Sequence, residues 1–185
     1  RCEPPGRPTP LLVACQNRRV EVARLLLDHD SEAALTPPGH CYELTPLSEA
    51  IQCSGVTMLR LLLARGAAKY VRNDHRALDN AMDGCCGDTE AEAVRLLLEH
   101  GADPNEKLLP PWSSPGARGQ TPLSLASGRL NYNAVRCLLD YGANPDGGCG
   151  WDNSTPLHDA CFHNAFSASD FKKSVAVARL LLERG

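Results

Sequence analysis

A Thr-Pro-Leu triplet recurs along this chain, and a Leu-rich run follows it at a fixed distance. The triplets start at Thr9, Thr45, Thr121 and Thr155. After the first three, the run ends 21 residues beyond the Thr, at Asp30, Gly66 and Gly142. A further run, Arg95 to Gly101, follows the decayed triplet Arg76-Ala77-Leu78. Five internal repeats of this kind predict a stacked array rather than one globular core.

Each repeat carries the signals of two helices. The Thr is a typical N-cap, Pro is tolerated at the first helical position, and the Leu points inward. The second helix is indicated by apolar residues at helical spacing, such as Val22, Leu25 and Leu26. Glycines then predict left-handed helix ends, at Gly66, Gly101, Gly142 and Gly185.

The segments TPLLVACQNRRVEVARLLLDHD and LLLEHGADPN resemble the ankyrin repeat. The resemblance runs from Thr9 to Gly185. It implies an all-α fold, an ankyrin-repeat solenoid of antiparallel helix pairs with short β-hairpin fingers. We expect a single domain over 1–185, cut from a longer chain. The repeats span approximately 5–34, 41–70, 72–105, 117–146 and 151–185.

Three stretches exceed the regular spacing. Repeat three has four extra residues, which places Gly84-Cys85-Cys86-Gly87 in an enlarged loop between its helices. Repeat five has nine extra residues, and we expect a bulge around 165–173. The connection from Gly101 to Thr121 is long and contains Trp112. Long loops on a rigid scaffold often carry function.

The resemblance implies a scaffold for protein–protein interaction, which binds a partner protein or peptide on a concave surface. In the family, contacts come from the end of the first helix and from the finger before each triplet. The helix-end positions in this chain include Gln52, Asp83, Arg129, Phe162 and His163. The finger positions include Tyr42, Leu44, Asn73, His75, Arg118, Gln120, Trp151 and Asp152.

Aromatic residues are the expected anchors of this surface, because they dominate binding energy at protein interfaces. Those anchors are Tyr42, Trp151, Phe162 and, in the long connection, Trp112. Acidic residues lie on the first helices, namely Glu49, Asp79, Asp83 and Asp159. We therefore expect a partner segment with basic and apolar residues, and a monomeric chain.

Charge and hydropathy exclude other partner classes. The net charge is -3, with 19 basic and 22 acidic residues intermixed, which gives no general attraction to nucleic acid or to an anionic membrane. No apolar run approaches the roughly 18 residues of a membrane span. Nine cysteines are an odd number, and several of them lie within helical patterns rather than in loops, which argues against a disulfide framework. A reducing intracellular compartment, cytoplasmic or nuclear, follows from this cysteine usage.

Two apparent chemical sites have simpler interpretations. His158 and Cys161 imitate a nucleophile pair. Cys161, however, shares its register position with Cys15, Ile51, Met82 and Ser127. That position indicates a small side chain packing inward between layers, so we expect no enzyme and no catalytic residue.

A metal site is the second alternative. Cys85 and Cys86, with His75, Cys41 and His40 nearby, show no paired Cys-x-x-Cys spacing. We expect no metal and no cofactor.

An arginine recurs at one point of every second helix, at Arg24, Arg60, Arg95, Arg136 and Arg179. Four of them have an acid four residues later, at Asp28, Glu99, Asp140 and Glu183. Pairs at this spacing stabilise a helix by about 0.2–0.5 kcal/mol each. We expect a self-neutralised solvated face rather than an anion-binding track.

The sequence carries a likeness to one further class of protein. The segments TPLLVACQ, TPLSEA and TPLHDAC are similar to the ankyrin regions of SOCS-box adaptors. This likeness implies a substrate-recruiting region of a ubiquitin-ligase adaptor, although no SOCS box lies within the chain.

Overall fold

The computed structural model describes residues 8–29, 45–71, 75–82, 90–107, 119–147, 154–162 and 168–185. They belong to two compact units, Arg1–Gly101 and Ala102–Gly185. Both units are built from helices, and the described residues include no strand. The all-α prediction is therefore confirmed, whereas the single domain over 1–185 stays a prediction.

The first compact unit holds repeats one to three. Its α-helices are Pro10–Gln16, Val20–His29, Pro46–Glu49, Gly55–Leu62, Ala68–Val71, His75–Met82 and Glu90–Glu99. Two π-helical turns, Ala50–Ser54 and Leu63–Ala67, lie within repeat two. The helices of each repeat pack against each other, and those of repeat two also pack against both neighbouring repeats.

The second compact unit holds repeats four and five. Its helices are Pro122–Gly128, Tyr132–Asp140, Pro156–Phe162 and Ala168–Arg184. The first helices of the two repeats pack on each other, and so do the second helices. The helix pairs thus lie in consecutive layers, as the repeat pattern predicts.

The predicted Thr caps are present in three repeats. The Oγ1 atoms of Thr9, Thr45 and Thr121 accept backbone N–H groups three residues on, at 3.2, 3.0 and 3.2 Å. In repeat five, the backbone N–H of Thr155 donates to Nδ1 of His158 at 3.3 Å. These bonds satisfy N–H groups that the helix itself leaves without a partner.

The predicted glycine stops are confirmed at three sites. Gly66, Gly101 and Gly142 have φ of +98°, +95° and +85°. The turn between the two helices of a repeat was not predicted from the sequence. It uses a non-glycine residue with positive φ in repeats one and four, Arg18 and Leu130. Their backbone bends the chain back for the second helix at a conformational cost.

Repeats three and five depart from the predicted layout. His75, which we expected in a finger, is the first residue of helix His75–Met82. The decayed triplet at Arg76 lacks the Thr and Pro that set the helix start elsewhere. The expected bulge at 165–173 is wrong for its described part, because helix Ala168–Arg184 includes residues 168–173. The additional residues extend the second helix to 17 residues.

The arginines of the second helices pair differently from the sequence expectation. Only Arg95 pairs with an acid four residues on, Glu99, at 3.8 Å. Arg24 pairs with Glu21 instead, at 3.5 Å. The acid Asp28 pairs with the next repeat, through Arg65. Its equivalent Asp140 pairs with Arg184 of repeat five, at 2.8 Å.

Arg60 also reaches the next repeat, where it pairs with Glu92. These pairs therefore connect successive layers more often than they neutralise one helix. Surface pairs of this kind contribute about 0.2–1 kcal/mol each.

Leu139 and Leu182 hold the same register position in neighbouring repeats, but they differ in burial. Leu139 is 9% exposed, whereas Leu182 is 68% exposed. We predict that Leu139→Ala lowers the free energy of unfolding by about 2–5 kcal/mol, because it leaves a cavity between repeats four and five. The matched variant Leu182→Ala changes it by no more than about 0.5 kcal/mol. Urea denaturation of dilute protein measures both values, and equal losses would contradict this packing.

Candidate functional site

Most of the predicted partner-binding residues lie outside the described part of the chain. These residues are Tyr42, Leu44, Asn73, Asp83, Trp112, Arg118, Trp151, Asp152 and His163. The helix position of His75 is described, but its side chain is not. Four candidates can be placed fully, namely Gln52, Gln120, Arg129 and Phe162.

In repeats one, two and four, the chain changes from buried to exposed within one or two residues near the end of the first helix. Cys15, Ile51 and Ser127 are buried. Gln16 and Gln52, directly after the first two, are exposed, and so is Arg129, two residues after Ser127. The buried residue holds the end of the first helix in place, and the exposed side chain beside it therefore has a fixed position. This arrangement can hold a row of contact residues on a rigid base.

In repeat four the exposed residue is Arg129. It is the C-cap of helix Pro122–Gly128, and its backbone N–H donates to Leu125 O at 3.1 Å. Ser127 is fully buried two residues before it. The capped helix end holds the Arg129 backbone, and the side chain extends from it as an exposed cation.

Phe162 is the last residue of the first helix of repeat five and is 88% exposed. Its neighbour Cys161 is exposed as well, so the prediction that Cys161 packs inward is wrong. The physical reason is that Cys15, Ile51 and Ser127 belong to helical segments that pack on the next repeat. Among the described residues, helix Pro156–Phe162 packs on repeat four and on its own second helix. The opposite face carries Cys161.

The finger region is described only in part. Gln120 and Ser154 each precede a triplet Thr and each form an isolated β-bridge. The β-hairpin fingers stay a prediction, and Gln120 is the finger candidate whose side chain lies in the described part of the chain.

The side-chain amide of Asn105 joins its own turn to the turn after Gly142, a contact that the sequence does not predict. Oδ1 of Asn105 accepts the backbone N–H of Asn144 at 2.8 Å, and Nδ2 donates to Gly142 O at 3.1 Å. Oδ1 of Asn144 in turn accepts the N–H of Asp146 at 3.0 Å. The short sequences after Gly101 and Gly142 could have suggested such turns, since Asn and Asp favour them.

One of the four acidic residues predicted near the binding surface, Glu49, does not lie on the surface. Glu49 is 4% exposed and therefore contributes no surface charge. Its Oε2 accepts from Sγ of Cys53, four residues later in the same repeat, at 3.5 Å. Asp159, at the equivalent position of repeat five, is half-buried, and its Oδ1 accepts from Ser154 at 3.3 Å. Asp79 is half-buried too.

Cys15, Glu49 and Cys53 form a small polar cluster between repeats one and two. Burial raises the pKa of the Cys15 thiol from 9.0 to about 12, with smaller contributions from the charges of Glu49 and Cys53. A thiol with this pKa is not a nucleophile near neutral pH. Among the described residues, no three His, Cys, Asp or Glu side chains are arranged to hold a metal ion. Cys41, Cys85, Cys86 and His40 lie outside them.

The helix pairs, the Thr caps and the glycine stops together match a known family. The sequence model for ankyrin repeats, which represents three copies, matches residues 2–74 and 81–185. The chain belongs to the ankyrin-repeat family. Ankyrin repeats generally mediate protein–protein interaction, and their proteins are typically scaffolds rather than enzymes.

One curated relative is an ankyrin repeat-containing protein of Treponema pallidum (strain Nichols). It is 37% identical over 127 residues, which cover 68% of this chain and 38% of the relative. The chain thus spans well under half of that protein. Within the described part of this chain, no helix is both long and apolar enough to cross a bilayer.

Native-state thiol labelling tests the environment of the cysteines. We predict that Cys161 reacts rapidly with a maleimide or a disulfide reagent at pH 8, because it is exposed. Cys15 reacts only on unfolding, because burial blocks the reagent and its raised pKa lowers the thiolate fraction about a thousandfold. Mass spectrometry of the labelled peptides measures both rates. Equal rates in the native protein would contradict the placement, whereas equal rates in urea are the expected control.

Proposed function

We propose that this ankyrin-repeat chain binds a partner protein or peptide along its first-helix ends and fingers. The observation that supports this surface is the exposure of Gln52, Arg129 and Phe162, each beside or near a buried residue of its own helix. The exposed residues differ from repeat to repeat, whereas the buried ones share a packing role. A variable row on a common scaffold is suited to selecting one partner.

Phe162 is the proposed anchor among the described residues. An aromatic side chain with 88% of its surface exposed gains most when a partner covers it. The proposed contact set also includes Tyr42, Leu44, Asn73, His75, Asp83, Trp112, Arg118, Gln120, Trp151, Asp152 and His163. A partner segment rich in apolar residues would satisfy the aromatic members of this set. We also propose that the partner segment carries basic residues, which would lie near Asp79, Asp83 and Asp159. Glu49 is buried and does not contribute to this attraction.

The proposed role is binding without catalysis, in an intracellular compartment. The compartment rests on the odd number of cysteines, nine, which is unlike the disulfide framework of a small secreted chain. A role as a ubiquitin-ligase adaptor rests on the sequence likeness alone, and no contact described above favours it.

Two exposed phenylalanines provide a matched test. Phe162 ends the first helix of repeat five, whereas Phe171 lies on the second helix and is 64% exposed. We predict that Phe162→Ala weakens binding of the partner by about 1–4 kcal/mol, because it removes the anchor. Phe171→Ala leaves the affinity unchanged. Both variants keep the fold, since neither residue is buried.

The partner can be obtained by quantitative affinity capture from lysate on immobilised wild-type chain. Its affinity for each variant is then measured with the purified partner. Loss of binding with Phe171→Ala but not with Phe162→Ala would place the partner on the second helices and refute the proposed surface.

A further inference from the structure

A groove lies between the second helices of repeats four and five. It has a cavity volume of about 420 Å³ and is lined by Tyr132 of repeat four and by one side of helix Ala168–Arg184 of repeat five. Leu180 in this lining is buried, whereas Tyr132 and Val175 are 39% and 43% exposed. The groove, which we call the second-helix groove, therefore presents apolar surface to the solvent between two packed repeats.

Three cations lie in the second-helix groove or beside it. Lys172 and Arg179 line the groove. Arg136 follows Tyr132 by one helical turn, so it lies on the same side of helix Tyr132–Asp140. All three cations are exposed, and none of them forms an ion pair with another residue that the structure describes. Their charges are therefore available to a ligand.

The sequence of repeat five explains why Arg136 lacks an acidic partner. Arg60, at the same register position of repeat two, pairs with Glu92 of repeat three. Repeat five has Ala176 at the register position of Glu92, and Ala176 lines the second-helix groove. The acid four residues after Arg136 is also engaged, because it pairs with Arg184 at 2.8 Å. An alanine thus replaces the acid that would neutralise this boundary between two repeats.

The long second helix of repeat five adds Lys172 to the groove. In the register of the repeats, helix Ala168–Arg184 begins about two turns earlier than helix Tyr132–Asp140 does. Lys172 lies in these additional turns. The acid that lines the groove, Glu183, lies near the other end of the same helix. The groove is therefore positive from Lys172 to Arg179 and carries negative charge at its Glu183 end.

The spacing of the lining cations indicates which ligand would contact both. At 1.5 Å per residue, Lys172 and Arg179 are about 10 Å apart along their helix. About three residues of an extended peptide span this distance. Two acidic residues at positions i and i+3 would therefore meet the two cations, and an apolar side chain between them would pack on Val175. An open groove suits such a segment better than a small molecule, whose sites enclose most of the ligand.

We propose that the second-helix groove binds an extended segment of a partner protein that carries acidic and apolar residues. The acids of this segment face the three cations, and its apolar residue packs on Tyr132 and Val175. Glu183 repels acids and so keeps them at the opposite end of the groove. This site differs from the self-neutralised face that the sequence predicts. It is also separate from the proposed partner surface, which lies at the first-helix ends and attracts the opposite charge.

A pair of synthetic peptides tests the charge of the ligand. The probe is a rhodamine-labelled peptide with blocked ends, Gly-Glu-Leu-Gly-Glu-Gly, and its control has Gln in place of both Glu residues. Fluorescence anisotropy with the wild-type chain at low ionic strength measures both affinities. We expect saturable binding of the probe that weakens as salt is added. The control binds about 2- to 30-fold more weakly, the range for two exposed ion pairs. Equal affinities, or no binding of the probe, would overturn the proposal.

Ala176 offers a matched pair of variants that locates the site. Ala176→Glu restores the acid that repeat three has as Glu92, so it neutralises Arg136 and adds negative charge to the groove. Ala176→Gln has a similar size and adds no charge. Both new side chains favour a helix, and circular dichroism checks that both variants fold. We expect Ala176→Glu to bind the probe about 1.5- to 5-fold more weakly than Ala176→Gln does. Equal affinities of the two variants would contradict recognition of charge in this groove.

Removal of single arginines tests the position independently. Arg136→Ala and Arg179→Ala each weaken binding of the probe about 1.5- to 5-fold. The matched control is Arg95→Ala, at the same register position of repeat three, where the arginine pairs with Glu99 at 3.8 Å. This control leaves the affinity unchanged, because Arg95 lies outside the groove. A loss with Arg95→Ala as large as that with Arg179→Ala would contradict the proposed site.

Vesicles test the other source of negative charge. Phosphatidylserine–phosphatidylcholine vesicles are sedimented with the wild-type chain and with Arg179→Ala under the conditions of the peptide titration. We expect the peptide to bind and the vesicles to leave the chain in solution, because the net charge of the chain is -3. Vesicle binding that depends on Arg179, without binding of the peptide, would assign the groove to a lipid surface and overturn the proposal.

Discussion

The packing of each helix pair against the next one is the constraint on which the rest of this structure depends. The second helix of a repeat has apolar side chains on more than one side, and its own first helix covers only part of them. In repeat four, Val135 and Leu138 are fully buried and Leu139 is nearly so, beside the helices of repeat five. Burial of such side chains contributes about 1.5–3 kcal/mol each. Stability is therefore shared between neighbours rather than held within one repeat.

The same packing determines where charge and function can be placed. Residues directed at a neighbouring repeat are small, apolar or buried with a polar partner, as Cys15 and Glu49 are. Residues at the layer edges form ion pairs across the boundary, as Asp140 and Arg184 do. The helix-end residues Gln52 and Arg129 stay exposed, and we propose them for partner binding. Ankyrin repeats generally mediate protein–protein interaction.

Local features were predictable from the sequence because they depend on a few adjacent residues. The cap at Thr121 and the left-handed stop at Gly142 each follow from the chemistry of one residue at a helix end. The positive φ of Arg18 and Leu130 was not predictable, because neither residue type favours that conformation.

Features that depend on a neighbouring layer were predicted less well. The register correctly grouped Cys161 with four buried residues, but burial requires a covering helix, which the described residues do not provide for it. The sequence predicts a partner for Asp28 on its own helix, whereas Asp28 pairs with Arg65 of the next repeat. The sequence predicts Glu49 as a surface acid, whereas Glu49 is buried in a helix that packs on repeat one. For the candidate site, the sequence located Phe162 at an exposed helix end, and its energetic role stays a prediction.

Hydrogen exchange in a chain shortened to residues 1–147 tests the central claim most directly. Removal of repeat five uncovers Ser127, Val135 and Leu139 while leaving the sequence of repeat four intact. If neighbours share stability, the backbone amides of Leu138 and Leu139 will exchange much faster than in the full chain, because the opening of repeat four becomes easier. Unchanged protection of these amides would show that repeat four does not depend on repeat five and would contradict the account.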